Sequence, residues 1–152
     1  MHDLKALSIK IQRQIMAELI THALEEDPKE CCGLLLGTGE DADELYRMSN
    51  VNKKPISRYT MQPSELLEAQ GKAKKSDREF IAIYHSHTFT QGYPSVTDVK
   101  NAVKVSSIST RHVIVSLVEK TRPVIRAFAI NGNSEVTELV IRTDGEPYRA
   151  SD

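Results

Sequence analysis

Residues 80–98 read FIAIYHSHTFTQGYPSVTD, and this stretch decides how the rest of the chain is read. Phe80 to Tyr84 is a short apolar run, the pattern of a buried strand. His85 and His87 stand at its end. Side chains alternate along a strand, so residues two apart share a face and the two imidazoles point the same way. Thr88 to Pro94 form a loop. Ser95 then opens a helix that runs to about Val105 and carries Asp98 in its first turn. Two imidazoles and one carboxylate at the end of a rigid strand make a three-ligand site, which leaves the fourth position of a zinc ion free for water. Ser95-x-x-Asp98 is also the pattern of a helix-capping box, which requires no metal. Spacing alone leaves both readings open.

Working outward, Leu4 to Ile11 reads as a short strand, with Leu7, Ile9 and Ile11 alternating. From Gln12 the period becomes helical, with Ile15, Leu19, Ile20, Ala23 and Leu24 on one stripe, until Glu25-Glu26-Asp27-Pro28 ends it. CCGLLLG (31–37) is a buried strand, residues 40–44 an acidic turn, and Leu45 to Val51 another strand. Asn50 to Ser57 is a loop, followed by a short strand from Arg58 to Met61. Pro63-Ser64-Glu65 opens a helix through Lys75, whose last-turn lysines suit a solvated helix end. Beyond the central stretch, strands are expected at 111–119, 124–131 and 135–142, the last two joined by a turn at Asn131-Gly132-Asn133. The tail from Thr143 is polar and reads as loose. Strands and helices mix without strict alternation, so one α/β or α+β domain with a mixed sheet is expected over residues 1–152, its core at about 4–142.

Composition narrows the function. The chain has 152 residues, enough for one domain with a sizeable core. Twenty basic residues against 21 acidic leave a net charge of −1, which argues against a broad nucleic-acid surface. Aromatics make up 5% and Trp is absent, so base-stacking platforms are not expected. No apolar run approaches the ~20 residues that span a bilayer, and the N-terminal stretch lacks the pattern of a secretory signal. The two cysteines, Cys31 and Cys32, are adjacent. A bridge between neighbours is strained, so they read as small apolar residues entering a strand, in keeping with a reducing cytoplasm.

Hydrolysis at a metal site also needs a general base. Glu30, at the mouth of the strand 31–37, is the candidate, because a carboxylate there can take a proton from water and pass it to a leaving amine. With Glu30 included, the set becomes specific. Glu30-Cys31-Cys32-Gly33, Leu34-Leu35-Leu36-Gly37 and YHSHTFTQGYPSVTDVKNA (84–102) resemble the JAMM/MPN+ zinc metalloprotease family. That family's pattern is an upstream Glu, then His-x-His, seven residues, and Ser-x-x-Asp. The resemblance extends over roughly residues 4–142. It implies a single MPN/JAMM domain, a mixed β-sheet flanked by helices of the cytidine-deaminase-like kind. It implies one zinc ion held by His85, His87 and Asp98, with Glu30 as base and Ser95 stabilising the oxyanion.

The same resemblance implies a substrate class, the bond after the C-terminal glycines of ubiquitin or a ubiquitin-like protein. Eukaryotic deubiquitinases usually carry Trp where Tyr84 stands and Pro where Thr88 stands. With its compact length, the chain looks closest to prokaryotic members acting on sulfur-carrier, ThiS/MoaD-like proteins. Phe89 and Tyr93 border the site and either contact a flexible tail or pack the loop. Arg58 and Tyr59 lie on a strand that could offer an edge to an extended tail. Exposed strand edges allow a homodimer as well as a monomer. Three other readings compete. A non-catalytic MPN scaffold typically lacks one or more of the five residues. A zinc deaminase needs His-x-Glu and Pro-Cys-x-x-Cys, which Cys31-Cys32 does not supply. A DNA-associated member calls for a basic stripe that the chain lacks.

Overall fold

The structure is a computed structural model that describes residues 7–145. Seven strands and three helices follow in the order β1 (Ser8–Ile11), α1 (Arg13–Glu26), β2 (Cys32–Thr38), β3 (Asp41–Met48), α2 (Pro63–Lys75), β4 (Glu79–His87), α3 (Val96–Lys104), β5 (Arg111–Ser116), β6 (Val124–Ile130) and β7 (Val136–Arg142). The sheet is mixed, as expected, and it closes on itself in the order β1-β3-β2-β4-β5-β6-β7. Short β1 is the closing piece, pairing parallel with both β3 and β7. The other parallel pair is β4 with β5, connected through α3.

Alternation along the strands sorts the core into two sides. Ile15, Leu19 and Ala23 of α1 pack with Leu35, Tyr84, Val113 and Val115. On the other side, Ala69 and Ala73 of α2 pack with Leu34, Leu36 and Ile83. Ala102 of α3 covers Ile114 and Phe128 there as well. β4 therefore sends Tyr84 toward α1, and Ile83 and the two histidines toward α2 and α3. Gly33 is required where it stands: a Cβ there would come within 2.4 Å of the Tyr84 ring and 2.3 Å of the Tyr46 carbonyl oxygen.

Two expectations for local structure are corrected. Of residues 40–44, only Glu40 lies in a turn. The chain reverses at Gly39, whose φ is +65°, and β3 starts at Asp41. Ala42 points into the core, and Arg78 pairs with both Asp43 and Glu44, so an acidic run sits on a strand at little electrostatic cost. Nor do Arg58 to Met61 form a strand; only Met61 bridges, to Asn50. The Asn50 side chain takes over the pairing that a ladder would make. Its Oδ1 accepts from Thr60 N–H at 3.1 Å and its Nδ2 donates to the Arg58 carbonyl at 3.0 Å. Of the expected first strand, Leu4 to Ala6 lie outside the described residues. So does most of the polar tail, though Asp144 Oδ1 accepts from Arg13 N–H at 2.7 Å. No helix among the described residues is long and apolar enough to cross a membrane.

Candidate metal centre and catalytic cleft

The C-terminal end of β4 is buried: His85 is 2% and His87 4% exposed. Both rings lie on the side covered by α3. Their Nε2 atoms are 3.2 Å apart, and Asp98 Oδ2 lies 3.3 Å from His85 Nε2 and 2.9 Å from His87 Nε2. One ligand atom from each of the three residues falls within 4.8 Å of the others.

The competing readings of Ser95-x-x-Asp98 turn out to be compatible. Ser95 is the N-cap of α3, its Oγ accepting from Asp98 N–H at 3.0 Å, while Ser95 N–H donates to Asp98 Oδ2 at 2.9 Å. The capping box fixes the rotamer that turns the Asp98 carboxylate toward the histidines. Ser95 Oγ spends a lone pair on the cap, so its hydroxyl proton remains available to the cleft.

The donor chemistry suits a divalent ion. His87 Nδ1 lies 2.7 Å from the Gln91 carbonyl, which can only accept. Nδ1 therefore carries the proton and Nε2 offers a lone pair toward Asp98, the arrangement a ligating histidine adopts. Two imidazole nitrogens and a carboxylate oxygen crowd one point, where a cation would be shared by all three. Without an ion, protons lie between the same atoms. Burial opposes ionisation of Asp98, but hydrogen bonds to His85 and His87 outweigh it and hold its carboxyl well below the usual range. Burial lowers His85, whereas for His87 the bond to Asp98 overcomes burial and raises it.

A cleft of about 190 Å³ opens beside His87, lined by Glu30, Ile56, Thr88, Phe89 and Ser95 among others. Glu30 reaches it because Ser86, between the two histidines, pins the start of β2: its Oγ accepts from Cys31 N–H at 2.8 Å. Glu30 is 5% exposed, and its Oε1 is buried without a hydrogen-bond partner among the described residues. Burial raises its pKa to about 8, opposed by His87 and reinforced by Asp98. That places it near neutrality, where a general base is effective. Burial also pushes the Cys31 thiol up to about 12, and both cysteines are free and buried, in keeping with a packing role.

Of the residues expected to touch substrate, Phe89 stands at the cleft mouth, 63% exposed. Tyr93 instead turns its ring edge-on to Phe128, at 5.3 Å between centroids, beneath Arg126. Arg58 is exposed on the loop. Tyr59 is buried and stacks on His85, with centroids 4.5 Å apart and planes 23° apart, so it walls in the ligand ring. Three contributors had no readable signal in the sequence. The Gln91 carbonyl is backbone. Asn50, which also donates to the Glu30 carbonyl at 2.9 Å, looks like any loop asparagine. His112 on β5 is 3% exposed and reads as one polar residue in an apolar strand.

A closed mixed sheet presenting two histidines, a capped aspartate and a buried glutamate to one cleft is the architecture of a JAB-type domain. Comparison with known proteins agrees. Residues 12–131 match the family Prok-JAB, described as prokaryotic homologs of the JAB domain, and the chain belongs to that family. Over 132 residues it is 33% identical to the CysO-cysteine peptidase of Mycobacterium tuberculosis, covering 86% of this chain and 88% of that protein. It is also 33% identical over 96 residues to a probable TtuB-protein conjugate cleaving protease of Thermus thermophilus, covering 63% of this chain and 64% of that one. Among solved structures, protein DSY2949 from Desulfitobacterium hafniense superposes with a TM-score of 0.75 at 29% identity, over 91% of this chain and 94% of that one.

Proposed function

We propose that this protein is a zinc-dependent hydrolase of the JAMM type, cleaving the bond after the C-terminal Gly-Gly of a ubiquitin-like or sulfur-carrier protein. The observation that carries the reading is the convergence of His85 Nε2, His87 Nε2 and Asp98 Oδ2 beside a cleft that also holds Glu30 and Ser95. The relatives support this reading, since those named above are a CysO-cysteine peptidase and a probable TtuB-protein conjugate cleaving protease.

His85, His87 and Asp98 would hold the ion. Zinc, when bound, supplies a Lewis acid that acidifies water and polarises the scissile carbonyl. Glu30 takes the proton of the attacking water at its carboxylate and delivers it to the leaving nitrogen. The Ser95 hydroxyl donates to the carbonyl oxygen as charge develops there. Ile56, Thr88 and Phe89 line the cleft, where a bound tail would displace water and strengthen both interactions. Phe89 meets the extended carrier tail at the cleft mouth. The enzyme acts in the cytoplasm, where its carrier and its reduced cysteines belong together.

The test is zinc content and turnover of a Gly-Gly-tailed carrier fusion by wild type, Asp98→Ala and Asp98→Asn. About one zinc per wild-type chain is expected, lost in Asp98→Ala together with turnover. Asp98→Ala keeps the Ser95 cap but loses the reciprocal bond from Ser95 N–H, which should cost about 0.5–1 kcal/mol of stability. Asp98→Asn can keep much of the cap yet bind zinc weakly, which separates ligation from capping. Equal zinc affinity in all three proteins would remove Asp98 from the ligand set. No zinc in wild type supplied with the metal would favour a non-catalytic scaffold.

A further inference from the structure

The two histidines differ on their outer side. His87 Nδ1 has the Gln91 carbonyl at 2.7 Å. His85 Nδ1 is buried without a hydrogen-bond partner among the described residues, although ligating imidazoles almost always have one. One other imidazole nitrogen shares that condition, Nε2 of His112.

Sheet register brings the two rings to the same region. Ile83 of β4 is aligned with His112 of β5, and His85 with Ile114. Ile114 packs under α3, and residues two apart share a face, so His112 lies on the face that carries His85 and His87. Neighbouring strands are ~4.8 Å apart and two residues of offset add ~6.6 Å, which separates the Cα atoms by about 8 Å. Two imidazole side chains and one water, which spans roughly 5.5 Å between nitrogens, bridge such a gap. Both nitrogens are buried, so leaving either unpaired is costly. One donor and one acceptor are what a single water needs to satisfy both.

We propose that His112 is a positioning residue: through one buried water its Nε2 takes up the Nδ1–H of His85, fixing the tautomer in which His85 Nε2 is free to ligate. The inference rests on the metal-site reading above. His112 makes no contact with the reacting atoms. It acts through His85, as the Gln91 carbonyl acts through His87, and Tyr59 holds the His85 ring plane by stacking. The two ligands are thus oriented by different means, one by backbone and one by a side chain on the neighbouring parallel strand.

The experiment measures zinc affinity by competition with a chromophoric chelator in wild type, His112→Phe and His112→Gln, alongside ring-nitrogen NMR of the zinc-loaded wild type. Zinc affinity in His112→Phe should fall about 10–100-fold. His112→Gln, which keeps a hydrogen-bonding group, should recover most of it. The spectrum should place the His85 proton on Nδ1, protected from exchange. A His112→Phe protein that unfolds cooperatively and holds zinc as tightly as wild type overturns the proposal and leaves the metal site standing. Should His112→Phe fail to fold, the wild-type spectrum decides. A His85 proton on Nε2, or an Nδ1 proton exchanging as freely as an exposed imidazole's, overturns it too. Wild type that binds no zinc overturns the metal-site reading itself, and this inference with it.

Discussion

The two faces of β4 carry equally buried polar groups and treat them in opposite ways. Toward α1, Tyr84 Oη lies 2.7 Å from His22 Nδ1, and the next polar residue on that face, Ser86, accepts from Cys31 N–H at 2.8 Å. Every one of these groups has a protein partner. Toward α3, His85 Nδ1 has none among the described residues, nor do the neighbouring Glu30 Oε1 and His112 Nε2. A buried polar group without a partner costs about 1–3 kcal/mol, so a fold retains several together only where something else depends on them. The satisfied face is the frame, and the unsatisfied one is where ligand, water and substrate are received.

The sharpest way to break that contrast is Glu30→Gln. The substitution keeps size and burial but removes the base. Turnover of a Gly-Gly-tailed carrier should fall by about 10²–10⁴-fold, the range for losing general acid–base catalysis. Zinc content should stay at the wild-type level, because Glu30 lies outside the ligand group. Retained activity would end the base assignment. Lost zinc would show that Glu30 belongs to the metal and that the cleft is organised differently.

The satisfied face should answer in stability instead. Tyr84→Phe keeps the ring against Gly33 and removes only the hydroxyl, leaving His22 Nδ1 buried and unpaired. A loss of about 1–3 kcal/mol is expected in urea unfolding, with zinc affinity changed less than about twofold. If zinc affinity fell with stability, the two faces would be one coupled network, and the division between frame and site would fail.

How much of this was legible in the sequence follows the same line. His85, His87, Ser95 and Asp98 are close together in the chain, and period-2 geometry plus a capping pattern brings three of them to one point without long-range information. The mixed sheet and the three helices follow from hydrophobic period. What the sequence hid are contacts made by register between distant elements. Closure of the sheet depends on the four residues of β1 pairing on both sides. The strand expected at Arg58 to Met61 is replaced by the hydrogen bonds of one side chain, Asn50, which no period announces. The reading of Tyr59 as part of an edge strand that pairs with a substrate tail gives way to its packing on His85, since a loop can still turn one aromatic inward. His112 and His22 become informative only when the neighbouring strand or helix is in place.

His22 supplies the smallest and most specific effect. Burial lowers its pKa to about 4, helped by Arg47 and opposed by Glu25. The folded protein therefore refuses a proton that the unfolded chain accepts below about 6.5. Stability from this group is fully present above pH 6.5 and is lost as pH falls toward 4. Glu30 acts with the opposite sign in the metal-free protein, since its raised pKa favours the folded state at acid pH and costs stability as pH rises through about 8. Comparing wild type with His22→Gln, both metal-free, cancels Glu30 and isolates the histidine. Between pH 7 and pH 4.5 wild type should lose about 2 kcal/mol more than the variant. Parallel pH profiles would mean that the α1 side of β4 opens to solvent in acid before His22 titrates in place. The frame would then be the more labile of the two faces, and the order assigned to them here would have to be reversed.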